Sequence, residues 1–101
     1  MERRKVKVIY RERARLSIRN FAIFIEEEGY PETADKFVKS LIAFGSSLNK
    51  FPKKYTLCKN PSLLNRNFRC AVFKKNYIFI FKIIRNELII FNVIHSSRYY
   101  Y

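Results

Sequence analysis

The spacing of hydrophobic residues changes once along this chain, and that change constrains the fold more than any other feature of the sequence. Between residues 11 and 48, apolar side chains recur every three or four positions, which places them on one face of a helix. Between residues 67 and 95, the sequence instead contains short segments rich in Phe, Ile, Val and Tyr, which are typical of β-strands. Helices followed by strands predict an α+β fold.

The helical region divides into two stripes at a glycine and a proline. We expect Gly29 to end the first helix and Pro31 to begin the second, because the first turn of a helix tolerates a missing N–H. The first stripe contains Ala14, Ile18, Phe21, Ala22 and Ile25. The second contains Ala34, Phe37, Leu41, Phe44 and Leu48. With Pro52 closing the second helix, the pattern predicts a helical hairpin.

The remaining segments predict four strands. Basic and apolar residues alternate from Lys5 to Tyr10, as in a strand with one buried face. Three further strands are predicted at residues 67–73, 77–84 and 87–95, joined by two hairpin turns at residues 74–76 and 85–86. The predicted order is β-α-α-β-β-β, with the hairpin packed on a small, twisted, mainly antiparallel sheet. Residues 1–101 suit a single domain, and residues 53–66 a basic loop.

The chain is strongly basic, with a formal net charge of +13 at pH 7. From Lys36 to Asn86 it has twelve lysines and arginines and no acidic residue. Such a segment attracts polyanions, so nucleic acid is the leading candidate partner. A second cluster places eight basic residues between Arg3 and Arg19, which would suit ribosomal RNA or an acidic, partly disordered protein.

The sequence argues against several other classes of protein. No secretory leader follows Met1, so we expect a cytoplasmic protein with reduced thiols. Cys58 and Cys70 could pair, but they are expected to be packing residues of a loop and a strand. Charged residues interrupt every apolar run before it reaches the roughly 18 to 20 residues of a membrane span. Two cysteines and His95 cannot supply four zinc ligands, so neither a metal nor another cofactor is expected.

Three side chains are candidates for RNA chemistry. Cleavage by the RNA 2′-hydroxyl requires a proton acceptor and cations that stabilise the phosphorane. Histidine titrates near neutrality, so His95 could act as acid or base, while Arg69 and Arg98 could each grip a phosphate with two hydrogen bonds. Structural roles are open alternatives. His95 could cap the last strand, Arg69 could bridge to Glu87, and Arg98 could be a solvated charge.

Further basic and aromatic residues are candidates for binding nucleic acid. They lie in the predicted loop, strand and C-terminal tail, and they are Lys53, Lys54, Lys59, Tyr77, Tyr99 and Tyr100. The lysines could contact phosphates as point charges, or they could simply be solvated. The tyrosine rings could stack on unpaired bases, or the C-terminal ones could cover apolar sheet surface.

Several of these residues share the spacing of one known family. The pattern consists of Arg69, Tyr77, Phe81, Val93, His95 and Arg98, together with Ala34, Phe37, Leu48 and Pro52 in and after the second helix. It resembles the RelE/ParE superfamily of bacterial toxins from type II toxin-antitoxin systems. The resemblance covers nearly the whole chain, and it implies a cognate antitoxin that is acidic and partly disordered.

The resemblance implies one of two targets. RelE-type members cleave mRNA on the ribosome, whereas ParE-type members inhibit DNA gyrase. The ending from Arg98 to Tyr101 is similar to the Arg-Tyr-His-Tyr ending of YoeB-type nucleases. This similarity adds Tyr101 to the candidate catalytic residues Arg69, His95 and Arg98. The first expectation is therefore a ribosome-dependent endoribonuclease, or mRNA interferase, that inhibits translation.

Three departures from the nuclease pattern favour the alternative target. Tyr100 stands where the YoeB-type ending has histidine, and Ile78 stands where RelE-type nucleases carry a sheet arginine. No Asp or Glu that could serve as a general base lies between Asp35 and Glu87. The alternative is a ParE-type inhibitor of DNA gyrase with no catalysis of its own. A basic nucleic-acid-binding domain unrelated to toxins is a third possibility.

Overall fold

The computed structural model describes residues 6–50 and 54–98, and its order of elements confirms the predicted α+β fold. The elements in chain order are β1 (Lys7–Tyr10), α1 (Glu12–Glu27), α2 (Pro31–Ser47), α3 (Pro61–Leu64), β2 (Arg69–Phe73), β3 (Tyr77–Ile84), β4 (Glu87–His95) and a 3₁₀ helix (Ser96–Arg98). The helical hairpin and the three C-terminal strands lie where the hydrophobic spacing predicts them. No helix in the described ranges is long and apolar enough to cross a membrane.

The four strands form one mixed sheet in the order β1-β4-β3-β2. β2, β3 and β4 form an antiparallel meander, and β1 lies parallel to β4 at the other edge. The chain passes from β1 through both helices before it enters the meander, and side chains of α1 and α2 pack on one face of the sheet. This arrangement confirms the prediction of a small, mainly antiparallel sheet.

Short turns set the register of the sheet. Lys74, Lys75 and Arg85 have positive φ values of 51°, 67° and 58°, so both predicted hairpin turns are present. Between the helices, Gly29 has a φ of 91°, a conformation that is accessible to a residue without a Cβ. The predicted end of α1 and start of α2 at Pro31 are therefore confirmed.

The helix-facing side of the sheet carries the main core. Ala14, Ile18 and Leu41 from the helices pack with Phe79, Phe81, Leu88, Ile90 and Val93 from the sheet. Gly45 allows α2 to lie close to Tyr10 of β1, because a Cβ at this position would overlap the Tyr10 hydroxyl group. Both predicted helical stripes thus supply the buried face of the hairpin.

The opposite side, here called the outer face, is covered in part by residues 54–68. Residues 54–66 belong to the predicted basic loop, whereas residues 67–68 precede β2, although the sequence predicts a strand from Asn67. This segment contains α3, and it packs Cys58 and Phe68 against Ile78 and Ile80 of β3. The Asn60 side chain caps α3 by accepting a hydrogen bond from the Ser62 N–H at 3.0 Å. The predicted loop is therefore a packed layer.

Cys58 and Cys70 form a disulfide, which corrects the expectation of reduced thiols. The Cys58 N–H donates to the Phe68 carbonyl at 2.8 Å, and the Cys70 N–H donates to the Thr56 carbonyl at 3.2 Å. These bonds place the segment beside the edge of β2 and bring the two Cα atoms to 5.0 Å, within the range that a disulfide spans. Cysteine spacing alone could not reveal this pairing.

Candidate functional site

Arg69 is the first residue of β2, and its side chain is half-buried. Its Nη1 atom donates a hydrogen bond of 2.6 Å to the carbonyl of Tyr55. Within the described residues no ion pair joins Arg69 to Glu87, so the alternative of an Arg69–Glu87 bridge is wrong. The bond to Tyr55 fixes one end of the guanidinium and leaves its other N–H groups available.

His95 is the last residue of β4, opposite Tyr77 in the sheet. Its Nδ1 atom accepts a hydrogen bond from the Ser97 N–H at 3.2 Å and lies 2.9 Å from Ser97 Oγ. In the tautomer that accepts from this backbone N–H, the ring hydrogen lies on Nε2. His95 therefore binds the backbone at the start of the 3₁₀ helix. This contact resembles the structural alternative, in which His95 caps the last strand.

Arg69 and His95 lie at opposite ends of the sheet. Arg69 is opposite Phe81 and His95 is opposite Tyr77, which are four residues apart along β3. Four residues span about 13 Å along a strand, and β2 and β4 are about 10 Å apart on either side of β3. The structure therefore does not bring these two candidate catalytic residues to the same phosphate.

Tyr77 belongs to an aromatic cluster on the helix-facing side. Its ring centroid lies 5.2 Å from that of Phe21, 4.9 Å from that of Phe37 and 5.4 Å from that of His95. Burial raises the pKa of the Tyr77 phenol. The ring packs against side chains of both helices, which limits the surface that it offers to a nucleic-acid base.

The other predicted binding residues are spread over the surface. Lys54 and Lys59 are exposed, and Lys54 Nζ lies 5.7 Å from the centroid of the Tyr55 ring. The backbone of Arg98 closes the 3₁₀ helix. Four further predicted site residues lie outside the described residues, and these are Lys53, Tyr99, Tyr100 and Tyr101.

A row of cations and aromatic rings crosses the outer face, and its members are not among the site residues predicted from the sequence. The guanidinium carbon of Arg11 lies 4.7 Å from the centroid of Phe91, and Lys82 Nζ lies 4.6 Å from that of Phe68. The two rings meet edge to face with centroids 4.8 Å apart. Lys82 has a signal in the sequence, because it is the one charged residue within the apolar strand β3.

An apolar groove runs between α1 and α2 on the surface of the hairpin. It has a volume of about 450 Å³, and its lining residues are Tyr10, Arg15, Ile18, Arg19, Ala22, Val38 and Ile42. The Tyr10 hydroxyl donates to the Ile42 carbonyl at 3.0 Å, and burial raises the pKa of this phenol. The groove thus combines apolar walls with two arginines.

Charge is distributed unevenly along the hairpin. Five of the eight acidic residues lie between Glu26 and Asp35, whereas Arg11, Arg13 and Arg15 lie at the start of α1. Bases at the N-terminus of a helix and acids at its C-terminus oppose the helix dipole, so this arrangement does not stabilise α1. Within the described ranges, no three His, Cys, Asp or Glu side chains are grouped as metal ligands.

Comparison with known proteins identifies the family. The family model described as "ParE toxin of type II toxin-antitoxin system, parDE" matches residues 8–100. The chain therefore belongs to the ParE toxin family of type II toxin-antitoxin systems, which confirms the RelE/ParE resemblance and implies a cognate antitoxin.

The fold also matches a solved structure. A chromosomal ParDE toxin-antitoxin system from P. aeruginosa aligns with a TM-score of 0.77 and 12% sequence identity, over 92% of this chain and 98% of that chain. At this identity the likeness establishes the fold. No curated protein matches the sequence.

Proposed function

We propose that this toxin acts by binding and inhibiting DNA gyrase, without catalysis of its own. The observation that carries the proposal is the separation of Arg69 and His95 at opposite ends of the sheet. A ribonuclease needs its proton acceptor and its phosphate-binding cation at one phosphodiester. The missing acidic residues between Asp35 and Glu87 and membership of the ParE family support the same choice. Action on gyrase would place the toxin in the cytoplasm.

The direct test uses purified toxin, gyrase, ATP and relaxed plasmid. We expect the toxin to inhibit supercoiling in proportion to its concentration, and His95→Gln to inhibit equally well because no imidazole chemistry is involved. Unchanged supercoiling at toxin concentrations in excess of gyrase would overturn the proposal.

Ribosome-dependent mRNA cleavage is the second candidate, and the uncompensated basic segment from Lys36 to Asn86 is the observation that favours it. In a cell-free translation reaction, the 5′ ends of the message would then show discrete new positions when toxin is added. Loss of those ends in His95→Gln or Arg98→Ala would assign the chemistry to these residues. Intact message would exclude this candidate.

We propose that the groove between α1 and α2 binds the antitoxin. Its walls are apolar, Ile42 is 45% exposed, and Arg15 and Arg19 lie within it. A segment of the antitoxin that forms an amphipathic helix could bury apolar side chains against these walls and place carboxylates beside the arginines. Neutralising these positive charges would also weaken attraction for polyanions.

A matched pair of substitutions tests this binding surface. Ile42→Glu adds a negative charge inside the groove, whereas Ile84→Glu adds the same charge at a similarly exposed isoleucine of β3, which is 42% exposed. We expect Ile42→Glu to weaken the antitoxin complex at least tenfold, measured by calorimetry, and Ile84→Glu to leave it nearly unchanged. Equal effects of the two substitutions would contradict the assignment.

A further inference from the structure

Strand β3 extends beyond its neighbour β2. The pairing of β2 with β3 ends at Arg69 opposite Phe81, while β3 continues to Ile84. Before Arg69, the backbone turns at Asn67, whose φ is 62°, and Phe68 packs onto the outer face. Among the described residues, the end of β3 therefore has no neighbouring strand on the β2 side.

A depression of about 510 Å³ occupies the space beside this end of β3. Its lining residues are Leu57, Asn67, Arg69, Lys82 and Ile83. Arg69 lies opposite Phe81, so its guanidinium comes from the helix-facing side, whereas the Lys82 ammonium group lies over Phe68 on the outer face. Asn67 adds a side-chain amide. Each of these groups donates hydrogen bonds.

The backbone of Ile83 adds a fourth donor. The Cys70 N–H points away from β3, toward Thr56, so Arg69 and Phe81 are the pair that exchanges hydrogen bonds within the ladder. The direction of the N–H alternates along a strand, so Ile83, two residues after Phe81, presents its N–H to the same side. No described residue accepts a hydrogen bond from it there.

Both cations at the depression are held in place without a carboxylate. Arg69 is fixed by its bond to the Tyr55 carbonyl, and Lys82 Nζ lies 4.6 Å from the centroid of the Phe68 ring. Neither residue forms an ion pair within residues 6–50 and 54–98. Positive charge is therefore positioned at the depression and not neutralised, as a site for an anion requires.

We propose that this depression binds a phosphate group, with the phosphodiester backbone of a nucleic acid as its principal source. A carboxylate has two acceptor oxygens in one plane, whereas a phosphate presents its oxygens in several directions. Arg69 and Lys82 reach the edge of β3 from opposite faces of the sheet, and the Ile83 N–H points out in the plane of the sheet. Donors that come from different directions match a phosphate better than a carboxylate. The proposal goes beyond the choice of target, because DNA held by gyrase and RNA on the ribosome both carry this group.

Binding of a short, fluorescently labelled oligothymidylate provides the test. Lys82→Gln removes one cation from the depression, whereas Lys36→Gln removes the same charge from the exposed surface of α2, and Asn67→Asp adds a repelling carboxylate in a residue type that tolerates a positive φ. We expect Lys82→Gln and Asn67→Asp to weaken binding about fivefold or more, and Lys36→Gln less than twofold. Lys82→Gln should also reduce the salt slope by about 0.7, the value for one lost contact with a single strand.

Nuclear magnetic resonance distinguishes inorganic phosphate from a nucleic acid as the ligand. Because it uses the wild-type protein, its result does not depend on whether a variant folds. In the wild-type protein, we expect the Ile83 amide resonance to shift when either inorganic phosphate or the oligonucleotide is added. A shift with inorganic phosphate, but an oligonucleotide affinity insensitive to Lys82→Gln, would assign the site to free phosphate. Equal loss of affinity in Lys82→Gln and Lys36→Gln, without any shift of Ile83, would overturn the proposal. A shift with polyglutamate but not with phosphate would overturn it in favour of an acidic peptide.

Discussion

The two faces of the sheet are covered in different ways. The helix-facing side is closed by α1 and α2, and side chains such as Leu41, Phe79 and Phe81 are fully buried there. The outer face is covered only in part, by residues 54–68, and Val72 remains 57% exposed. One face has the larger apolar core, whereas the other combines a smaller buried cluster with a disulfide and with cations placed over rings. The difference indicates that both faces contribute to stability, the first mainly through its larger apolar core, and that the second leaves more of the sheet open to a ligand.

Truncating the centre of the hairpin would test this division most strongly. Leu41→Ala leaves a cavity between α2 and the sheet, and we expect it to lower the free energy of unfolding by about 2–5 kcal/mol. Its neighbour Ile42 is 45% exposed, so Ile42→Ala should cost about 1 kcal/mol or less. Urea denaturation of both variants measures the difference, and equal costs would contradict the assigned core.

Removing the disulfide tests the outer face. The bond joins residues with a sequence separation of 12, and closing a loop of that length stabilises a protein by about 3 kcal/mol in the chain-entropy model. We expect the double variant Cys58→Ser, Cys70→Ser to lose about this amount and to become sensitive to trypsin at Lys59 and Arg66. If oxidised wild type and the double variant unfold at the same urea concentration, the outer layer does not depend on the disulfide.

Gly45 offers a probe of the contact between α2 and β1. A Cβ at this position would overlap the Tyr10 hydroxyl and approach Phe79, so Gly45→Ala should cost about 1–3 kcal/mol despite the better helix propensity of alanine. In a Tyr10→Phe background the hydroxyl is absent, and part of this cost should disappear. Thermal unfolding of the four members of this double-mutant cycle measures the coupling. An additive cycle would show that the two residues do not meet.

A hydrogen bond between helix and sheet gives the smallest expected effect. Ser17 Oγ donates to Asn92 Oδ1 at 2.6 Å, next to the irregularity in the register of β3 and β4. Ser17→Ala should lower the free energy of unfolding by about 1 kcal/mol. Ser40 donates to the Lys36 carbonyl within α2, so Ser40→Ala provides a control that removes a hydroxyl without touching the sheet. A larger loss of unfolding free energy in Ser40→Ala than in Ser17→Ala would contradict a stabilising role for the bond between Ser17 and Asn92.

The hydrophobic spacing was sufficient to predict the helix-facing side. Residues such as Ala34 and Leu48 follow the helical period strictly and are buried, and Gly29 and Pro31 mark the turn between the helices. These signals are local, so a single sequence reveals them. The three C-terminal strands could also be predicted from the sequence, because short turns separate their apolar segments.

The outer face could not be predicted in the same way, because its contacts join distant parts of the chain. Cys58 reaches Cys70 only after the segment turns back along β2, and Arg69 contacts Tyr55 through the same turn. Whether Arg69 and His95 can act together depends on their positions across three strands of the sheet. Residue types alone do not reveal those positions. The sequence shows Lys82 as a lone charge in an apolar strand. It does not show that Lys82, Ile83 and the distant Asn67 line the same depression.

The most direct test of the proposed function measures both candidate targets in the same growing bacteria after the toxin is induced. Plasmid supercoiling reports on gyrase, and incorporation of a labelled amino acid together with mapped mRNA ends reports on translation. We expect plasmid DNA to relax while mRNA ends stay unchanged, and we expect co-expressed antitoxin to prevent the relaxation. An early arrest of translation with discrete new mRNA ends, while plasmid supercoiling stays constant, would contradict gyrase as the target.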